Sequence, residues 1–459
     1  MRAAMRTDRL FVAHSVSLAG NDDVTSALKR GTSPLAYLTR CTHNVSINLP
    51  FLNMFKRFDV ILALLIVASA GAEANSPAVV KAQGLGPAIQ ESQGPDSIGH
   101  NGNFNNEAYL ALAAGKYAVL ERKYVSLLNS YIGGKISEED LFLKFDVFGS
   151  SMGLEMRFDE WVMAYPDSYA AKLARGLHLL SVAWEKRGTK FADETTDEQF
   201  KGFVKELSQA AADLEASVKL NSKPIGSYTA LIKVSRGLGW GPDSDRHLLD
   251  EALRVDSQAY LPRLTYLYSL TPRWGGSAIL MEEFLKECRG SSLSEKNKER
   301  IEASYFLHLG QEARRTKDYE QASTQFFEAY RHDGDPKSLF LSGQSALDGS
   351  VYDLAFQRFD ALVKAHSEYP YGYNKRGWMY ESYFKDDKKA FDDYLSAAEL
   401  GNSYAQNRVG WWYMTGRYVA KDFIRAKVYF KRAADQKNEN AIANLKNLDM
   451  LRKANAGAQ

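Results

Sequence analysis

Cysteine is almost missing: Cys41 and Cys288 are the only two in 459 residues. Two thiols are too few for a disulfide framework, and without residues 1–74 Cys288 alone is left, so no cysteine pair completes a zinc set. The histidines show no H-x-x-x-H or H-E-x-x-H spacing, which removes the usual helical metal motifs. Strand signals are nearly absent, with no sustained alternation of β-branched and polar residues. A long apolar run is missing too. The one unbroken stretch, Val60–Ala68, would span roughly 14 Å as a helix against a bilayer core of about 30 Å. Excess charge of one sign is also lacking, at +2 net over the chain. Without residues 1–74, 50 basic and 51 acidic residues remain. That balance does not suit a nucleic-acid or anionic-membrane surface.

What is present is periodic. Gly310, Gly343, Gly377 and Gly410 recur every 33 or 34 residues, a period that marks a helical solenoid. Each glycine is followed by a small–aromatic–small pattern at i, i+4, i+7, which is one helix face. The copies are Ala322, Phe326 and Ala329; Ala355, Phe359 and Leu362; Ala390, Tyr394 and Ala397; and Ala426, Phe430 and Ala433. A glycine on the preceding helix lets the aromatic approach, so each unit is a helical hairpin that buries its apolar face only by stacking. Tyr319 and Tyr352 precede the second helices of two copies and are expected to pack in the intervening turn.

These residues resemble the tetratricopeptide repeat, and the last copy is similar to the related Sel-like repeat. Ala405, Gly410, Trp412, Tyr413, Gly416, Val419, Asp422, Ala426, Tyr429, Phe430, Ala433 and Ala434 carry the second likeness. Tyr418 departs from it, standing where that pattern prefers glycine. The resemblance covers 303–448 and implies an all-α fold, an α-α superhelix of stacked hairpins. The glycine-to-alanine spacing grows from 12 to 13 and then 16, so the inter-helix loop is expected to lengthen.

The N-terminal third divides differently. Met54-Phe-Lys-Arg, the apolar run and Ala72-Glu-Ala74 form the three-part plan of a secretory signal peptide over 54–74. Residues 1–53 are then expected to be an over-long gene model ahead of a true start at Met54. The Gly- and Pro-rich stretch 75–103 reads as a disordered linker, and 449–459 as a disordered tail.

Helical periodicity begins near 104, with Gly133-Gly134 ending one run and Ser137-Glu-Glu-Asp140 opening the next helix. Ala216 and Ala252 head stretches that look like hairpin second helices, so repeat-like architecture starts before Gly310. Gly237-Leu-Gly-Trp-Gly-Pro242 between them reads as a tight turn.

Within 104–290, four motifs resemble a bacterial helical family of unknown function. They are Trp161…Tyr165-Pro-Asp-Ser168, Ala174-Arg-Gly176, Trp184-Glu-Lys-Arg-Gly188 and Pro272-Arg-Trp-Gly-Gly-Ser277. The likeness implies an exported or envelope protein and brings no activity.

Candidate sites follow from these patterns. Arg273 and Trp274 offer a planar cation beside an aromatic plane. Ser277 reads as an N-cap rather than a nucleophile, since no G-x-S-x-G elbow and no base accompany it. Cys288 reads as a buried apolar residue, and Asp333-Gly-Asp335-Pro as a turn rather than a calcium loop. In the tetratricopeptide pattern the residue after the glycine lines a partner-binding surface. Here those residues are Gln311, Gln344, Trp378 and Trp411, with Tyr371, Asn374, Lys375, Tyr404, Asn407 and Arg408 beside them. The tryptophans either line a groove or pack between repeats.

The expected function is protein or peptide binding by an exported envelope scaffold. No catalytic residue, cofactor or metal is expected, nor a nucleic-acid partner or a stable membrane span in the mature chain. The alternatives are an envelope enzyme of the β-lactam-binding or hydrolysing Sel-like type and a secreted effector.

Overall fold

Each ladder glycine faces a specific side chain on the next helix. A methyl placed on Gly310, Gly343 or Gly410 would come within 2.7–2.8 Å of Phe326, Phe359 or Phe430 respectively. At Gly377 it would meet the Ala390 carbonyl, Asp393 and Tyr394 at 3.2 Å. The small–large lock expected from the repeat is therefore physical contact. These locks belong to a computed structural model that describes residues 102–188 and 195–456. All lie within one contact unit, Glu91–Gln459. The gene-model expectation for 1–53, the leader at 54–74 and nearly all of the 75–103 linker fall outside the described residues.

The described residues form nineteen helices and no strands. The N-terminal ten are α1 (Gly102–Ala113), α2 (Tyr117–Ile132), α3 (Glu138–Gly149), α4 (Glu155–Ala164), α5 (Tyr169–Arg187), α6 (Asp197–Val218), α7 (Ile225–Leu238), α8 (Pro242–Val255), α9 (Leu261–Ser269) and α10 (Ala278–Gly290). Then come α11 (Glu295–Arg315), α12 (Tyr319–Asp333), α13 (Pro336–Asp348), α14 (Tyr352–Ala365), α15 (Pro370–Met379), α16 (Asp387–Glu399), α17 (Ser403–Thr415), α18 (Phe423–Asp435) and α19 (Glu439–Ala456). Helix α1 begins inside the stretch read as linker, and α19 continues into the stretch read as tail.

Packing is between neighbours, as a solenoid requires. The hairpins α5/α6, α7/α8, α11/α12, α13/α14, α15/α16 and α17/α18 are closely packed, and α3, α5, α7, α9 and α11 contact one another in series. No break in the core separates 104–290 from 303–448. Met281, Phe284, Leu285 and Cys288 share a cluster with Ile301 and Tyr305.

The N-terminal half contains a second copy of the repeat's ionic staple. Arg376, just before Gly377, forks onto Asp393 and reaches Asp360 with its third nitrogen, all at 2.8 Å. Arg175, just before Gly176, forks onto Asp213 at 2.6 and 2.7 Å and reaches Asp159 at 3.0 Å. A methyl on Gly176 would come within 2.7 Å of Leu214, the neighbour of Asp213. The same arginine–glycine pair thus locks α5 to α6 and α15 to α16. This equivalence lay hidden because the glycine faces leucine rather than an aromatic.

Local chemistry sets the element boundaries. Ser137 and Asp140 form a reciprocal capping box at α3, and Asp335 caps α13 after Gly334 turns left-handed. The lengthened third copy has a helical cause. Tyr380–Phe384 is a π-helical segment, which inserts one residue between Gly377 and Ala390. In the fourth copy Tyr418 takes φ +62°, the conformation that glycine adopts most readily. Its ring packs on Phe391 and Trp412 at 5.8 and 6.3 Å, which holds it there.

Two expectations need correction. Gly237 and Leu238 complete α7, and only Gly239 and Gly241 turn. A methyl on Gly237 would come within 2.5 Å of Leu207, so this glycine serves packing. Tyr319 and Tyr352 reach the next hairpin rather than their own turn. The Tyr319 Cβ lies against Gly349, and Tyr352 stacks on Tyr383 at 4.9 Å.

Candidate functional site

Two helices present the same pattern on one face. Tyr371, Lys375 and Trp378 lie at i, i+4, i+7 on α15, and Tyr404, Arg408 and Trp411 repeat it 33 residues later on α17. Tyr371, Trp378 and Tyr404 are exposed, at 42%, 38% and 47%. Trp411 is half-buried against the cluster of Trp412, Phe430 and Ala426. The two tryptophans therefore differ: Trp378 is a surface plane, while Trp411 is partly a packing residue. The fully enclosed indole in this region is Trp412.

The two cations differ as well. Arg408 donates through Nε to Glu381 at 3.1 Å, with a second bond from its other nitrogen. Its guanidinium also lies 4.6 Å from the Trp411 ring centre. Glu381 is buried and further accepts from the Tyr394 hydroxyl and Arg417, both at 2.9 Å. Arg417 in turn forks onto Asp387. Arg408 thus belongs to a structural network.

Lys375 makes no hydrogen bond or ion pair among the described residues, although it is half-buried. Burial pushes its pKa below the usual lysine range, with Asp348 opposing.

The amides are mostly committed. Asn407 Oδ1 accepts from Asn444 at 2.9 Å, Gln311 pairs with His308 at 3.2 Å, and Gln344 donates to Asp348 at 2.7 Å. Asn374 is half-buried on α15.

Arg273 and Trp274 sit elsewhere, in a 3-10 turn at Pro272–Trp274 between α9 and α10. The turn explains the whole motif. Gly275 is left-handed at φ +85°, and a methyl on Gly276 would collide with the Leu270 carbonyl. The Ser277 hydroxyl caps α10 by accepting from the Leu280 amide at 3.2 Å. Trp274 is half-buried among Trp184 at 6.0 Å, Tyr268 at 6.3 Å and the Arg236 guanidinium at 5.2 Å. Arg273 is exposed beside it at 5.9 Å. The structure does not join this pair to the stripes.

No family model matches the chain, and no curated protein sequence does. Many solved structures are similar to the chain, among them three of similar strength. A Sel1 repeat protein from Oxalobacter formigenes is 20% identical with a TM-score of 0.32, over 45% of this chain and 88% of that one. Yeast Tom70 is 14% identical at 0.33, over 76% and 89%. The human IFIT1 dimer with m7Gppp-AAAA is 13% identical at 0.32, over 77% and 82%. These TM-scores are low, and the helical-repeat fold stands on the chain's own helices and locks.

No group of three His, Cys, Asp or Glu side chains that could hold a metal occurs among the described residues, and no described helix is long and apolar enough to cross a membrane. Burial pushes the Cys288 thiol up to about 12, which disfavours the reactive thiolate. His178 is buried and stacked on Phe158 at 4.3 Å, with its pKa lowered by burial.

Sequence reasoning missed Glu381, Asp348 and Arg314, which donates to Asp348 at 3.1 Å. Glu381 carried no signal, because its partners Arg408 and Arg417 come from the following hairpin. Asp348 stands four residues after Gln344, a helical neighbour spacing that was available.

Proposed function

We propose that this chain is an exported bacterial scaffold that binds a protein or peptide segment in the cell envelope, and that it acts by binding rather than by catalysis. One observation carries the reading: the aromatic–cation–aromatic stripe repeated on α15 and α17, with Tyr371, Trp378 and Tyr404 facing solvent. Large aromatics give contact area at low entropic cost, and such residues dominate binding energy at protein interfaces. Export rests on the three-part leader at 54–74, and the N-terminal motifs support the same placement through the bacterial helical family they resemble.

Trp378→Ala is expected to weaken capture of partners from an envelope extract about tenfold or more, the scale of a hot-spot residue. Its helical circular dichroism is expected to match wild type, because Trp378 is exposed. Adding Trp411→Ala is expected to weaken capture further and to lower the melting temperature. Unchanged capture by the Trp378 variant would remove the stripe as the binding surface. N-terminal sequencing of the natural protein tests export: the expected mature chain starts after Ala74, and retention of residues 1–53 would refute it. A labelled β-lactam is expected to acylate no serine.

A further inference from the structure

The contrast between the two stripe cations points to the chemistry of the partner. Arg408 is answered by the buried Glu381. Lys375, at the same repeat position, has no such answer among the described residues. Among the described residues the only carboxylate acting on it is Asp348, and Asp348 is already taken. It accepts from Arg314 at 3.1 Å and from Gln344 at 2.7 Å. The patch formed by Arg314, Lys375 and Asp348 therefore holds one more positive charge than negative. An ammonium held in low dielectric without an acceptor destabilises the free chain. An incoming carboxylate removes that cost. Lys375 is half-buried rather than fully enclosed, so part of its side chain stays open to a ligand.

We propose that Lys375 receives the side chain of an aspartate or glutamate lying within an extended peptide segment on the exposed face of α15. This rests on the peptide-binding reading above and adds the chemistry of the bound segment. The flanking aromatics place the acid inside the segment rather than at its end. Tyr371 lies about 6 Å before Lys375 along the helix axis, and Trp378 about 4.5 Å after it. Contact area is therefore available on both sides of the charge, and a chain that ended at the carboxylate would leave one aromatic uncovered. A charge-assisted bond formed in this half-buried setting is stronger than one at an open surface.

The test pans a phage-displayed library of random twelve-residue peptides on the full chain, then titrates labelled synthetic copies of the selected peptides. The expected peptides carry Asp or Glu at a fixed position with apolar residues on both sides. Changing that acid to its amide is expected to weaken binding at least tenfold to wild type and less than twofold to Lys375→Met. Lys375→Met is also expected to melt at a higher temperature than wild type, since the stem still packs and the unanswered charge is gone. If that variant fails to fold, Lys375→Gln takes its place in the cycle.

Selected peptides without an acid preference, or an acid preference that survives in the Lys375 variant, would overturn the assignment to Lys375 while leaving peptide binding standing. Binding lost on amidating the peptide C-terminus would overturn the internal position. Selection of no peptide by wild type would overturn the peptide-binding reading and this inference with it.

Discussion

Single positions in this chain are decided by whether a Cβ fits, and glycine substitutions of opposite sense should have opposite signs. At Gly343 the added methyl meets the Phe359 ring at 2.7 Å inside a fully buried contact, where neither helix can retreat cheaply. Gly343→Ala is expected to destabilise by about 1–3 kcal/mol in urea unfolding, the usual cost of overpacking. Pairing it with Phe359→Leu should recover part of that loss, and a fully additive double mutant would show that the two residues do not form the lock. Ser350, seven residues later, is held at φ +60° in the turn of the same hairpin. Ser350→Gly relieves that strain and is expected to stabilise by about 0.5–1 kcal/mol. The ladder was legible in the sequence because its glycines keep one period. The left-handed Ser350 was not, because nothing in its residue type marks the strain, whereas Tyr418 was flagged by standing where the repeat pattern prefers glycine.

Helices are joined by charges that their own sequences do not advertise. Arg376 ties α14, α15 and α16 together through Asp360 and Asp393, with all three side chains at least three-quarters buried. Arg376→Met strands Asp393 in the interior and is expected to cost about 2–4 kcal/mol, with part of it returned by Asp393→Asn. A second device spans the N-terminal half. Glu138, at the start of α3, accepts the Tyr260 and Leu261 amides at 2.8 and 2.9 Å and so caps α9, which has no side-chain cap of its own. Burial raises the Glu138 pKa from 4.5 to about 7, against the pull of those two amides. The folded chain then holds this proton where the unfolded chain has lost it. The contribution of Glu138 is fully present below about pH 4.5 and is lost as pH rises through about 7. Thermal melts of wild type should decline over that window more steeply than those of Glu138→Gln, with a share of at most about 3 kcal/mol. Equal slopes would place the Glu138 titration outside the window. Neither staple was readable beforehand: Glu138 looked like a first-turn acid of α3, and its partner lies 122 residues away.

Across the whole molecule, packing between neighbours makes stability a chain of local terms. Trp161 sits in the N-terminal core cluster and Trp412 in the C-terminal one, both fully enclosed. Variants in which one of these two indoles is replaced by Phe, with the other five tryptophans replaced in both, should report separate urea midpoints. Coincident transitions would instead show one cooperative unit. At this scale the sequence alone determined the fold class. A 33-residue period of small and large residues permits only stacked helical hairpins, since each hairpin has an apolar face that nothing else covers. It also placed the candidate face, because position in a repeat fixes which side of a helix a residue occupies. Tertiary structure alone decided which members of that face are occupied. Lys375 and Arg408 hold equivalent places in the pattern, yet Glu381 reaches Arg408 and no described carboxylate reaches Lys375. A period sets the direction of a side chain, but whether it finds a partner depends on what the neighbouring hairpin brings to it.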